Sequence, residues 1–155
     1  MNNILWKLQT FEQLSTQDLY KIIKARIDVF VVEQNCPYPD CDDTDQIALH
    51  LWAEANGKVM AYCRIFPEGI KYSEASIGRV LTTEKGRGRN LGRQMMKYAV
   101  EAIENRLHTS EIRISAQDYL ISFYQEFGFS PTDKKYLEDD LPHTEMYREG
   151  KRKKC

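Results

Sequence analysis

The chain has 155 residues, 42% of them hydrophobic and 29% charged, which is ordinary for a folded globular protein and excludes disordered and fibrous architectures. A chain of this length fits one domain whose core buries about 70% of the unfolded surface. Lys and Arg number 22 against 23 Asp and Glu, a net charge of −1, so no global basic field draws in nucleic acid and any such role needs a local patch.

The first residues, MNNILWKLQTFEQ, lack a basic region followed by an apolar run, and no segment approaches the roughly 20 apolar residues of a membrane span. A cytoplasmic protein that binds no membrane is the expectation. Cys36, Cys41, Cys63 and Cys155 show no C-x-x-C spacing and read as reduced thiols. Cys36 and Cys41, with Asp40, Asp42, Asp43 and Asp45 nearby, offer metal-ligating atoms, but their spacing matches no standard zinc pattern, so no metal is expected. The basic tail, residues 151–155, reads as a solvated end.

In chain order, residues 4–10 alternate apolar and polar side chains imperfectly and predict a first strand. Ser15, with Asp18 three residues on, resembles a capping box and opens a helix. Leu19, Ile22, Ile23, Arg26, Ile27 and Phe30 keep a helical period to about Val31. A loop spans 33–45. Strands follow at 48–55, 58–67 and 71–83, the first two joined by Asn56 and Gly57, a strong hairpin signal. Residues 90–106 predict a helix with Leu91, Met95, Met96, Ala99, Val100 and Ile103 on one face. A strand at 111–116, a helix at 118–128 closed by Gly128, and strands at 129–136 and 143–149 complete the pattern. His50, in an alternating segment, reads as a strand residue facing solvent or capped by a neighbour. The fold class is α/β, with a mostly antiparallel first half in a mixed sheet and helices on its faces.

The segment with the most chemical information joins the strand containing Ile77 and Leu81 to the long helix through Glu84, Lys85, Gly86, Arg87, Gly88, Arg89, Asn90, Leu91 and Gly92. Glycines permit a tight backbone that aims several N–H groups at one point, and a helix N-terminus adds partial positive charge, so a phosphate or pyrophosphate is the natural ligand. Arg87 and Arg89 add guanidinium forks suited to phosphate oxygens. A solvated turn is the plainer reading of the same glycines. The nucleotide-binding loop G-x-x-x-x-G-K-[ST] is excluded because Arg93 and Gln94 follow Gly92. The dinucleotide fingerprint G-x-G-x-x-G fits poorly, since Gly86, Gly88 and Gly92 are spaced G-x-G-x-x-x-G with no repeated βαβ units around them.

The run from Arg87 to Gly92 resembles the GNAT N-acetyltransferase signature [RQ]-x-x-G-x-[GA], with Asn90 standing where Gly is usual. Asn tolerates left-handed backbone next best. Phe123, Tyr124 and the following QEFGF also resemble the family's tyrosine-bearing helix. Together with VFVVEQNCPY (29–38), IGRV (77–80), Ala116-Gln117 and Pro142-His143, these runs are similar to the ElaA-like branch of that superfamily, over about residues 19–146.

The resemblance implies a single acetyltransferase domain over 1–150, built on a mostly antiparallel sheet of six to seven strands. It implies acetyl-CoA as cosubstrate and a small-molecule or peptide amine as acceptor, attacked directly in a ternary complex. Backbone groups of Val80, Leu81 and Thr82 would hold the pantetheine arm and thioester, the loop Arg87, Gly88, Arg89, Asn90, Leu91 and Gly92 the pyrophosphate, and Ser115, Ala116 and Gln117 would line the far side of the gap. Tyr124 takes the place of the family's general acid: a phenol of pKa about 10 can donate to a thiolate whose acid has a pKa of about 8.5. Glu33 and His143 are the candidate bases, with Arg79 able to orient either. Two other readings stand beside this one: a non-catalytic acyl-CoA sensor, and a basic interaction patch made by Arg87, Arg89, Arg93 and Lys97. The acidic loop 40–45 suggests attraction for a cationic amine, or simply a solvated turn.

Overall fold

The computed structural model describes residues 3–150, so the basic tail and Cys155 lie outside the described residues. Four strands, β1 (Leu5–Thr10), β2 (Leu49–Ala55), β3 (Lys58–Phe66) and β4 (Ser76–Thr82), pair antiparallel in the order β1-β2-β3-β4. Asn56 and Gly57 turn the β2–β3 hairpin with φ of 53° and 74°, as their pairing predicts. All but the first residue of β3 are buried, which is the pattern of a strand covered on both faces. On one face α1 (Thr16–Arg26) packs Ile22, Ala25 and, just beyond its end, Val29 against Trp52, Val59, Tyr62 and Leu81. On the other face α2 (Leu91–Arg106) buries Leu91, Met95, Met96, Ala99 and Ile103 in the main core with Leu51, Cys63 and Ile65. Each large apolar side chain removed from water here contributes about 1.5–3 kcal/mol.

A second sheet has the order β5-β7-β6, with β5 (Ile112–Gln117), β6 (Phe129–Glu138) and β7 (Leu141–Arg148) again antiparallel. Among the described residues the backbones of the two sheets are joined by one parallel bridge, Ala75 to Ile112, where Arg113 N donates to Ala75 O at 2.9 Å. Past that bridge no ladder joins β4 to β5, and the two strands open a wedge. α3 (Ile121–Gln125) packs against β6 and contributes Tyr124 to the main core.

Several elements differ from the sequence expectation. Ser15 Oγ accepts from Asp18 N at 3.0 Å, but the reciprocal capping box lies one turn earlier, between Thr10 and Gln13. The first helix does not fade at Val31; it widens into a π-helical turn over Ile27–Glu33, a feature that favours functional sites and that apolar periodicity alone does not report. Residues 67–75 form turns rather than the start of β4, and 118–128 resolve into a short 3-10 turn plus α3. Gly128, at φ 90°, closes the turn after α3, its N–H donating to Gln125 O at 3.2 Å. β6 runs to Glu138, because Asp139 and Asp140 make a two-residue hairpin turn at φ 49° and 63°. No helix among the described residues is long and apolar enough to cross a membrane.

Candidate active site

The wedge is shaped by an irregularity in β4. Tyr62 faces Leu81 while Arg64 faces Gly78, so two steps along β3 match three along β4, and a β-bulge falls at Arg79 and Val80. Arg79 carries φ 50°, a left-handed conformation that costs a non-glycine residue about 1–2 kcal/mol. The bulge takes Val80 out of the ladder. A cleft of about 460 Å³ opens there, with Gly78, Arg79 and Val80 on one wall, Ser115 and Gln117 on the other, and Tyr124 and His143 also lining it. Leu81 instead points into the α1-side core, Ala116 into the main core, and Thr82 lies at the rim, its carbonyl accepting from Arg87 Nη2 at 3.1 Å.

The glycine loop is anchored from below. Thr83 N donates to Met60 O at 3.0 Å, and a Cβ on Gly86 would lie 2.1 Å from that same oxygen, so only glycine fits position 86. Gly88 takes φ 79° and Asn90 φ 60°, ψ 23°, so Asn adopts the left-handed conformation that its replacement of Gly requires. Asn90 does not cap α2 with its side chain; its Oδ1 accepts from Arg93 Nη1 at 3.3 Å instead. The first N–H groups of the helix at Leu91 and Gly92 are thus left without a side-chain acceptor from Asn90, the arrangement that suits an anion. Arg93 grips Glu126 through two bonds of 3.1 and 3.2 Å, fixing α2 beside α3.

The two loop arginines differ. Arg87 forms a bidentate pair with Glu33 at 2.7 and 3.0 Å, whereas Arg89 lines a separate surface hollow with Lys58 and Lys85. The hydrogen bonds from Arg87 lower the Glu33 carboxyl pKa, away from the near-neutral value a general base needs. Glu33 does not line the cleft that holds Tyr124 and His143; it stands beside the loop.

Tyr124 is buried, with its ring edge-on to Phe123 and Phe129 at 5.3 and 6.1 Å. Its side chain lines the cleft, and its hydroxyl has no hydrogen-bond partner among the described residues. Burial pushes its pKa above the ordinary phenol value.

His143 stands opposite Gln117 across the β5–β7 register and stacks on Tyr136. Both ring nitrogens face acceptors: Nδ1 lies 2.7 Å from Leu141 O and Nε2 3.3 Å from Glu138 Oε2. The ring can donate to both only when doubly protonated. Glu138 Oε2 also accepts from Ser115 Oγ at 3.1 Å, and Tyr136 OH donates to Ser115 Oγ, so a hydrogen-bonded chain runs along the second sheet's side of the cleft. Glu138 had no signal in the sequence, since it lies inside a charge-rich run, 133–140, and past the strand expected at 129–136.

Three of the four aspartates of the acidic loop are drawn into ion pairs, while Asp43 stays exposed. Arg26, fully buried, pairs with Asp40 at 2.9 Å as a close ion pair and donates to Asp45 Oδ1 at 2.8 Å. Arg64 takes Asp42 through two bonds of 2.9 and 2.5 Å and also reaches Asp45 at 2.8 Å. Burial alone would raise the Asp45 pKa, but hydrogen bonds and charge from Arg26 and Arg64 outweigh it and the pKa is lowered. His50 is likewise internal, its Nε2 donating to Asp45 O at 2.9 Å and its Nδ1 accepting from Tyr62 OH at 2.7 Å. Cys36 is also drawn inward, its Sγ donating to Asp139 O at 3.5 Å while Cys41 is exposed. Among the described residues no group of three or more His, Cys, Asp or Glu side chains is arranged to hold a metal.

A family model described as an acetyltransferase (GNAT) domain matches residues 9–149. The chain belongs to the GNAT acetyltransferase family. It is 37% identical to Protein ElaA of Escherichia coli over 148 residues, covering 94% of this chain and 97% of that one. The crystal structure of Escherichia coli ElaA superposes with a TM-score of 0.88 at 37% identity, covering 95% of this chain and all of that one. An acyl-CoA N-acyltransferase structure from Pseudomonas aeruginosa gives the same TM-score, 0.88, at 35% identity, covering 94% and 99%.

Proposed function

We propose that this chain is one N-acetyltransferase domain that moves the acetyl group of acetyl-CoA to a primary amine by direct attack within a ternary complex. The observation that carries this reading is that Tyr124, whose hydroxyl has no hydrogen-bond partner among the described residues, lines the cleft formed where bulged β4 parts from β5. The residues fit the cosubstrate: the anchored loop and helix N-terminus suit a pyrophosphate, and the unpaired β4 edge at Val80 suits an amide-bearing arm. The Arg87–Glu33 pair is exposed, and such pairs are worth about 0–1 kcal/mol, so a pyrophosphate at the loop can take Arg87 over.

Acetyl-CoA supplies an activated thioester. The amine nitrogen forms the new C–N bond as the C–S bond breaks; of the two protons that leave the ammonium nitrogen, one returns to sulfur and one goes to solvent. Tyr124 Oη donates toward the departing sulfur. Its raised pKa makes complete transfer of its own proton uphill by more than the phenol–thiol difference of roughly 1.5 units, at about 1.4 kcal/mol per unit, so its part is mainly hydrogen-bond stabilisation of the developing thiolate. On the acceptor side the His143–Glu138 pair receives the ammonium proton. Replacing Tyr124 by Phe keeps the ring and removes only the hydroxyl. Turnover at saturating acetyl-CoA should fall by about 100-fold while cosubstrate affinity holds. Unchanged turnover would remove Tyr124 from the mechanism.

A second reading, an acyl-CoA sensor without catalysis, draws on one observation: Glu33 and both nitrogens of His143 are already engaged. Tight acetyl-CoA binding with no acetylated product over a broad amine panel would favour it.

A further inference from the structure

One wall of the cleft, formed by β3, β4 and the loop before them, gathers several cations around shared carboxylates. Asp42 Oδ2 is approached by three cations, Arg64 Nη2 at 2.5 Å, Lys71 Nζ at 3.2 Å and Arg79 Nη2 at 3.7 Å. Behind it Asp40 and Asp45 are shared between Arg26, Arg64 and Arg79. The cluster therefore sets four cations (Arg26, Arg64, Lys71, Arg79) against three carboxylates (Asp40, Asp42, Asp45). Asp43, in the same loop, is exposed and lies outside this cluster. Lys71 and Arg79 are the partly exposed members, both line the cleft, and Arg79 Nη1 has no hydrogen-bond partner among the described residues.

Two aromatic rings on this wall already carry cations. Arg79 lies over Tyr38 at 5.1 Å, and Arg64 and Lys71 lie over Phe66 at 4.9 and 5.1 Å. A cationic acceptor at this point meets Asp42 already shared by three cations. An anionic group finds two donors that converge beside the β4 bulge, one residue from Val80. Glu138, on the opposite wall, supplies the charge that complements an ammonium.

We propose that the acceptor is an amine that also bears a carboxylate, amino-acid-like, seated with its carboxylate against Lys71 and Arg79 and its nitrogen toward Tyr124. This rests on the acetyltransferase reading and narrows its acceptor class. The left-handed φ of Arg79 falls at the bulge, the point where the strand leaves its ladder beside the cleft.

The test is calorimetric titration of the chain, saturated with coenzyme A, with N-acetyl derivatives of the twenty amino acids and with the primary amides of the same compounds. At least one acid should bind about tenfold or more tightly than its amide, the effect expected of charge-assisted hydrogen bonds. In Lys71→Gln and in Arg79→Gln that ratio should fall toward one. The ratio is read within a single preparation, so a reduced folded fraction in either variant cancels. Amides that bind as well as acids, an acid preference that survives both substitutions, or no binding by any acid would each overturn the proposal. A parallel assay of acetyl transfer to the free amino acids separates the two claims: acid-selective binding without transfer sinks the catalytic reading and leaves the carboxylate site standing.

Discussion

At the scale of single residues, burial sets the chemistry more than sequence type does. Tyr124 is held protonated by its apolar surroundings, so activity should not decline through deprotonation of this group as pH rises through 10, the point at which an exposed phenol ionises. A wild-type pH profile whose basic limb vanished in Tyr124→Phe would contradict that. His50 is the opposite kind of group. Desolvation lowers its pKa, and its two hydrogen bonds suit the neutral ring. Because the unfolded chain binds the proton more readily, the stability that His50 contributes is full above about pH 6.5 and is lost as pH falls below it. Asp42 and Asp45 add a second loss only below about pH 4, since their folded pKa values are lowered. Melting temperature against pH should therefore drop in two stages, and His50→Gln should flatten the first.

Elements carry the next level of constraint. The glycine loop is positioned by its contact with β3, so Gly86→Ala should lower stability by about 1–3 kcal/mol, the usual cost of overpacking, and weaken coenzyme A binding with it. Asn90→Gly should be nearly neutral because φ 60° suits glycine, while Asn90→Ala should cost about 1 kcal/mol. Urea midpoints of the three variants check both statements. These local features were legible in the sequence because each depends on neighbours in the chain: the Asn56–Gly57 turn, the apolar stripe of α2, and the glycine loop between a strand and a helix. The π-helical turn was not legible, since the apolar spacing of Ile27 and Phe30 also fits an α-helix. Nor was the extent of β6, whose turn uses two aspartates rather than a glycine.

For the molecule as a whole, what the sequence hid is a matter of long-range pairing. The aspartates at 40, 42 and 45 read as an exposed turn because their partners lie as far away as Arg26, Arg64 and Arg79, and only the folded sheet brings those cations to the loop. The same network ties α1, the loop and both central strands together beneath the cleft. Arg26→Met should cost about 3–5 kcal/mol by leaving Asp40 and Asp45 short of a buried partner, which an unfolding titration would show as a lower midpoint. His50 is the strand residue capped by neighbours, not the one facing solvent: alternation marks a residue's face of a sheet, but it does not reveal that this face is covered.

The central claim is that the cleft between β4 and β5 transfers acetyl from acetyl-CoA to an amine. Its most direct test is to incubate the protein with acetyl-CoA and a mixed amine panel that includes amino acids, and to follow free thiol and acetylated amine together. Thiol release should match acetylated amine one for one and should require the Tyr124 hydroxyl for its full rate. Saturable acetyl-CoA binding with neither product, across the whole panel, would contradict the account.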